Sequence, residues 1–217
     1  MIRRSIERTI LRDFTRKKVI VLLGARQVGK TTLLEGLHNK KEKVLSINCD
    51  DLDDTLLIEE KTSTELRALF APYDMVFIDE AQRVKNIGLT LKKIGDLKLD
   101  TKVIVTGSSS LELAGEVNEP ATGRLIEYHL FPFSLAELAA ETSEREEQRM
   151  LEQRLIYGLY PEVVTFPGDA KRTLMTLANN YLYKDLLSYK GLKNPEILQK
   201  LVRALALQLG SEVSYNE

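Results

Sequence analysis

The chain has 217 residues, 43% hydrophobic and 29% charged, with a formal net charge of −1, which fits one sizeable domain plus a smaller appendage and excludes a bulk attraction to nucleic acid or to an anionic membrane. Cys49 is the single cysteine, which excludes an intrachain disulfide or a thiolate metal cluster and fits a reducing cytoplasm. No apolar run approaches the roughly 18 residues of a membrane-spanning helix, and no apolar stretch of signal-peptide type follows the charged N-terminus.

Taken in chain order, Ile2, Ile6, Ile10, Leu11 and Phe14 recur at helical spacing, and the charged residues between them read as a solvated face. Val19 to Leu23 is a continuous apolar, β-branched run, the pattern of a strand buried on both faces of a parallel sheet. A helix is predicted from Lys30 to about Asn39, a second strand over Lys43 to Asn48, and a loop over Asp50 to Asp54 leading into a helix. Ser63 to Phe70 reads as a helix with Ser63 or Thr64 as N-cap. Met75 to Ile78 is the third strand, Ile87 to Leu97 a helix, Lys102 to Thr106 the fourth strand and Leu125 to Leu130 the fifth. This alternation predicts an α/β fold with a parallel, three-layer arrangement. From Leu135 onward the pattern is helical, with Glu144 to Arg149 as a charged stretch and Pro161, Pro167 and Pro195 as dividers.

Between the first strand and the following helix stands Gly24-Ala25-Arg26-Gln27-Val28-Gly29-Lys30-Thr31, a full match to G-x-x-x-x-G-K-[ST]. Glycines let the backbone wrap closely, so that successive N–H groups and the positive end of the next helix converge on phosphates. Lys30 would reach the β and γ phosphates, the Thr31 hydroxyl would ligand Mg²⁺, and Thr32 opens the helix. With glycine at about 7% of residues, a chance match in a chain of this length is on the order of one in a hundred, and the strand before and helix after reduce that further. ATP fits better than GTP, since no N-K-x-D guanine motif follows the fourth strand.

Met75 to Ile78 ends in Asp79-Glu80, the Walker B pattern: the strand end brings Asp79 to Mg²⁺ and Glu80 polarises the attacking water as a general base. The alternative is a solvated strand-to-loop turn. In a fold of this class the fourth strand lies between the first and third, so its end faces the γ phosphate. Ser108 is chosen as the polar sensor there, with Thr106 or Ser109 as alternatives, and a serine capping the helix at Leu111 as the competing reading. Arg124, just before the fifth strand, is either an arginine finger or a surface arginine paired with a carboxylate. His38 and His129 show no ligand spacing and read as structural. Asp50, Asp51, Asp53 and Asp54 read as solvated loop. Tyr157, Tyr160, Tyr181, Tyr183 and Tyr189 read as core of the helical part.

Gly24 to Thr32, Phe77-Ile78-Asp79-Glu80-Ala81-Gln82, Val105 to Ser110, and Gly123-Arg124 through Pro132-Phe133-Ser134 together resemble the prokaryotic AAA+ superfamily ATPases that carry a C-terminal domain of unknown function. The resemblance covers the chain from its first helix to its end. It implies a P-loop NTPase core with N-terminal helix over residues 1–132, a small helical lid over 133–192 and the start of a winged-helix-like segment over 193–217. Carried over by position, Lys30 and Thr31 are Walker A, Asp79 and Glu80 Walker B, Ser108 sensor 1 and Arg124 the finger. Related ATPases often have Gly-Tyr-Pro where this chain has Leu159-Tyr160-Pro161, and they continue well past Glu217, so the resemblance implies a truncated chain.

The expected function is therefore ATP hydrolysis with Mg²⁺ driving a conformational switch. The alternatives are a slowly hydrolysing, nucleotide-gated interaction module and a DNA-associated ATPase, since a winged helix can read a groove. Expected partners are ATP or ADP, another copy of the chain, and a protein or DNA engaged through the missing C-terminal region, with no membrane.

Overall fold

The computed structural model describes residues 2–107, 123–179 and 195–211. It divides into two compact units, one up to Pro161 and one from Glu162 onward.

In the first unit, helix α1 (Glu7–Asp13) and a 3-10 turn (Phe14–Arg16) precede strand β1 (Val19–Leu23). Then follow α2 (Lys30–Leu37), β2 (Val44–Asn48), α3 (Leu52–Leu56), α4 (Ser63–Phe70) and β3 (Met75–Asp79). A 3-10 turn (Ala81–Arg83) leads to α5 (Ile87–Asp96), β4 (Lys102–Gly107) and, beyond residues 108–122, β5 (Leu125–His129). Helices α6 (Leu135–Glu141), α7 (Glu144–Arg149) and α8 (Leu151–Tyr157) complete it.

The five strands form one parallel sheet in the order β2-β3-β4-β1-β5. Side chains alternate across each strand, so the apolar runs feed two cores, one on each face of the sheet. Val19, Val21, Leu23, Val76, Ile78, Val103 and Val105 pack with Leu66 and Phe70 of α4 and Ile87, Leu91 and Ile94 of α5. Ile20, Leu22, Met75, Phe77 and Ile104 pack on the other face with Ile10 of α1 and Leu33, Leu34 and Leu37 of α2. Full burial of one such side chain contributes about 1.5–3 kcal/mol, so this double-sided core is what fixes strand order and register. The three-layer α/β expectation holds, with the element ends shifted by a residue or two.

Two local readings change. The N-cap of α4 is Thr62, whose hydroxyl accepts the Glu65 N–H while Glu65 reaches back to the Thr62 N–H, a capping box one residue ahead of the predicted cap. The charged residues at the N-terminus are not all solvated: Arg4 lies before α1 and is buried. The acidic group does lie in solvated loop and helix start. Asp51 caps α3 by accepting the Asp53 N–H, Asp54 accepts the Asn48 N–H at 2.7 Å, and Asp50 pairs with Arg83 at 3.2 Å.

The second unit holds α9 (Pro161–Thr165, its first residue shared with the other unit), a 3-10 turn (Pro167–Asp169), α10 (Ala170–Leu177) and α11 (Pro195–Leu207). Val163, Ala170, Thr173 and Leu177 are its buried residues among those described. Tyr181, Tyr183 and Tyr189 lie outside the described residues. No described helix is long and apolar enough to cross a membrane.

Candidate functional site

The loop from Gly24 to Gly29 joins β1 to α2 at the C-terminal edge of the sheet. Gly24 is demanded by space: a Cβ there would lie 2.6 Å from the Leu130 carbonyl oxygen, which leads out of β5. Its N–H donates to Gly107 O at 3.3 Å, tying the loop to the end of β4. Gln27 and Gly29 both take positive φ, 58° and 96°, in the turn and bend before α2 begins. At Gly29 that conformation suits a residue without Cβ. Lys30 is buried and its ammonium donates to the carbonyls of Gly24 at 2.9 Å and Ala25 at 3.2 Å, inside the curve of the loop. The Pro161 ring flanks the loop, with its Cγ 3.7 Å from where a Cβ on Gly29 would stand.

The second half of the site comes from β3 and β4. The Thr31 hydroxyl donates to Asp79 Oδ2 at 3.3 Å, so the two motifs meet although 48 residues separate them. The other carboxylate oxygen, Oδ1, accepts the Thr106 hydroxyl from the adjacent strand and the Glu80 N–H at 3.1 Å. Glu80 itself takes φ 53°, and its carboxylate accepts a hydrogen bond from the Gln82 amide. Cys49, at the end of β2, donates its N–H to Asp79 O at 2.9 Å. Its thiol is pushed up to about 12 by burial, reinforced by Asp54, Asp79, Asp50 and Glu80, and is therefore an inert packing group at neutral pH.

Thr31 and Asp79 offer a hydroxyl and a carboxylate, the hard oxygen donors that Mg²⁺ takes when phosphates and water complete its shell. No cluster of three or more His, Cys, Asp or Glu side chains suited to a metal occurs among the described residues.

Ser108 and Ser109 lie outside the described residues. Thr106, the alternative sensor, is fully buried and bonded to Asp79 and Glu80. Arg124 is not brought to the loop. The register pairs Val19 with Leu125, so Arg124 sits level with Lys18 at the N-terminal edge of the sheet. A strand rises about 3.3 Å per residue, which puts Arg124 roughly 20 Å from Gly24. Its guanidinium pairs with Asp96 at the end of α5. His38 packs edge-on against Phe77 at 5.8 Å, and His129 lies 2.9 Å from Glu127 and stacks on Phe131. Both serve structural contacts.

Sequence reasoning missed one cluster at the back of the loop. The Arg4 guanidinium donates to Val28 O at 3.4 Å, to Phe131 O and to Pro132 O at 3.5 Å, stands 4.6 Å over the Phe133 ring, and pairs with Glu137 at 3.5 Å. These partners are 24 to 133 positions away, so no local pattern distinguishes Arg4 from exposed Arg3.

A parallel sheet in this order, with a G-x-x-x-x-G-K-T loop after β1 and a carboxylate at the end of β3, defines a P-loop NTPase fold. Residues 16–139 match the family described as AAA domain, and residues 148–217 match a domain of unknown function, DUF8612. The chain belongs to the AAA domain family. It is similar to an uncharacterised protein of Haemophilus influenzae, 24% identical, which covers 89% of this chain and 52% of that protein. It is also similar to the uncharacterised protein MJ1544 of Methanocaldococcus jannaschii, 24% identical over 91% of this chain and 48% of that protein. The chain thus spans about half the length of these curated relatives. Among solved structures, the Walker-type ATPase PABY2304 of Pyrococcus abyssi shares the fold, with a TM-score of 0.58 and 18% identity over 100% of this chain and 86% of that one.

Proposed function

We propose that the protein binds ATP and hydrolyses it with Mg²⁺ to drive a conformational switch. The observation that carries this reading is the approach of Thr31 Oγ1 to Asp79 Oδ2 at 3.3 Å, next to the loop and the start of α2. The N–H groups of residues 24–32 would cradle the phosphates, aided by the positive end of α2. Lys30 would exchange the carbonyls of Gly24 and Ala25 for β- and γ-phosphate oxygens. Thr31 would hold Mg²⁺ directly and Asp79 through water, and the ion would neutralise charge on the transferring phosphate. Glu80 would take the proton of the attacking water, and Ser108 remains the proposed sensor. Residence in the cytoplasm accompanies this reading.

Phosphate release by wild type, Glu80→Gln and Lys30→Ala tests it. Loss of the general base should slow release by about 10²-fold or more, and Lys30→Ala should abolish nucleotide binding. Equal rates for wild type and Glu80→Gln would remove Glu80 from the chemistry.

A second reading, a module that binds ATP tightly, hydrolyses it slowly and gates a partner or a second copy of itself, is favoured by two contacts. Gln82 occupies the Glu80 carboxylate, and Arg124 is engaged with Asp96 away from its own loop. Sedimentation with ADP and with a non-hydrolysable ATP analogue distinguishes it. An assembly state indifferent to nucleotide counts against gating.

A further inference from the structure

The loop that would cradle phosphate is held from behind by a residue that the catalytic reading does not use. Arg4 is 9% exposed, and its guanidinium reaches the Val28 carbonyl. That carbonyl belongs to the peptide between Val28 and Gly29, within the stretch where Gln27 and Gly29 take left-handed backbone angles. A peptide unit is planar and trans, so its C=O and N–H point in opposite directions. Fixing Val28 O toward Arg4 therefore aims the Gly29 N–H away from Arg4, on the side where a phosphate would lie.

The same guanidinium is tied to the exit of β5 and the start of α6. It donates to Phe131 O and Pro132 O, lies over Phe133 and pairs with Glu137. Glu137 is the third residue of the α6 capping box: it accepts the Ser134 N–H at 2.9 Å through Oε2. Its Oε1 accepts the Ser5 N–H at 2.7 Å and the Ser5 hydroxyl at 3.1 Å. One carboxylate thus joins the residues before α1 to the cap of α6, and one guanidinium joins that carboxylate to the loop. Burial of a charged group is costly unless it is paired and hydrogen-bonded. Here the two side chains pair with each other and bond to the backbone groups named above, while Arg4 Nε, 3.5 Å from Glu137, makes no hydrogen bond.

We propose that Arg4 is a positioning residue for the nucleotide site, fixing the Val28–Gly29 peptide and, through Glu137, coupling the loop to the start of α6. This rests on the nucleotide-binding reading above and adds to it a residue that touches no phosphate. The planar five-donor fork is needed, because one ammonium cannot serve Val28, the 131–132 carbonyls and Glu137 together.

The test compares wild type, Arg4→Met, Arg4→Lys and Glu137→Gln in three measurements: ADP–Mg²⁺ affinity by calorimetry, thermal melting, and hydrogen exchange of the amides of residues 24–31 in ligand-free protein. Arg4→Met is expected to weaken ADP binding about tenfold or more and to speed exchange in the loop, with Arg4→Lys only partly restoring both. A folded Arg4→Met protein with wild-type ADP affinity and unchanged loop exchange overturns the proposal, because a purely structural brace would lower the melting temperature alone. Should Arg4→Met fail to fold, wild-type affinity and exchange in both Arg4→Lys and Glu137→Gln overturn it equally. A wild type without ADP affinity refutes the nucleotide reading instead, and loop exchange then decides the role of Arg4.

Discussion

Thr106 on β4 holds Asp79 on β3: its hydroxyl donates to Asp79 Oδ1 and accepts the Glu80 N–H at 3.2 Å. The neighbouring strand thereby sets the direction of both residues of the acidic motif. Thr106→Val keeps the shape but removes the hydroxyl from a fully buried position. The expected result is destabilisation by about 1–3 kcal/mol in thermal melts, with hydrolysis reduced more than nucleotide affinity.

Glycines at two places in the same region should behave in opposite ways. A methyl group on Gly24 would meet the Leu130 carbonyl oxygen at 2.6 Å, a backbone atom with no freedom to step aside. Gly24→Ala should cost about 1–3 kcal/mol and disrupt the loop. Gly36 in α2 is exposed and has nothing within 4 Å of such a methyl, so Gly36→Ala should stabilise by about 0.5–1 kcal/mol. Paired denaturant titrations and ADP binding check both; a tolerated Gly24→Ala would contradict the close-approach argument.

The three inner strands β1, β3 and β4 were legible because they are short apolar runs between turn signals, and burial on both faces of a parallel sheet requires that pattern, whereas the edge strands β2 and β5 mix polar and apolar residues and are mostly unburied. The loop and acidic motifs were legible because each is contiguous in sequence. Their meeting through Thr31 and Asp79 matches the reading of both residues as ligands of one Mg²⁺. The Arg4–Glu137 pair was not legible, since the partners are 133 positions apart and neither stands in a pattern that marks burial. Glu147 is a similar case. It lies in a stretch read simply as charged, yet it is buried and bridged to Arg154 by contacts of 3.0 and 3.2 Å. The place of Arg124 was hidden for another reason: its position before a strand does not say which edge of the sheet it occupies until the register with β1 is known.

Thr62→Ala should separate the capping box of α4 from the residues beside it. Loss of both the Thr62 hydroxyl and its exchange with Glu65 should lower stability by about 1 kcal/mol. Ser63→Ala should leave the melting temperature nearly unchanged, because Ser63 is already helical and exposed. Equal effects from the two substitutions would place the cap elsewhere.

Alkaline pH should loosen the fold through Tyr128. Its phenol is pushed up to about 12, first by burial and then by donation to Asp13. A raised value in the folded state means that the contribution is complete below the ordinary tyrosine value of about 10 and is lost as pH climbs towards about 12. Asp13 has the opposite sign: the Tyr128 hydroxyl, ahead of Arg16 and Arg12, holds it below the usual carboxylate value, so its contribution is lost in acid. Melting temperature against pH for wild type and Tyr128→Phe checks this. The variant should show a flatter alkaline limb, with a residual decline from Cys49, whose thiol also titrates near about 12.

Arg124 directly precedes β5 at the edge of the sheet away from the loop, braced to Asp96. The consequence is one of kinetic order. Any help that Arg124 gives to phosphate transfer must arrive by encounter between molecules, so turnover per molecule would climb with protein concentration and fall on dilution. A specific activity that stays constant across a wide dilution series would make Arg124 a brace between β5 and α5.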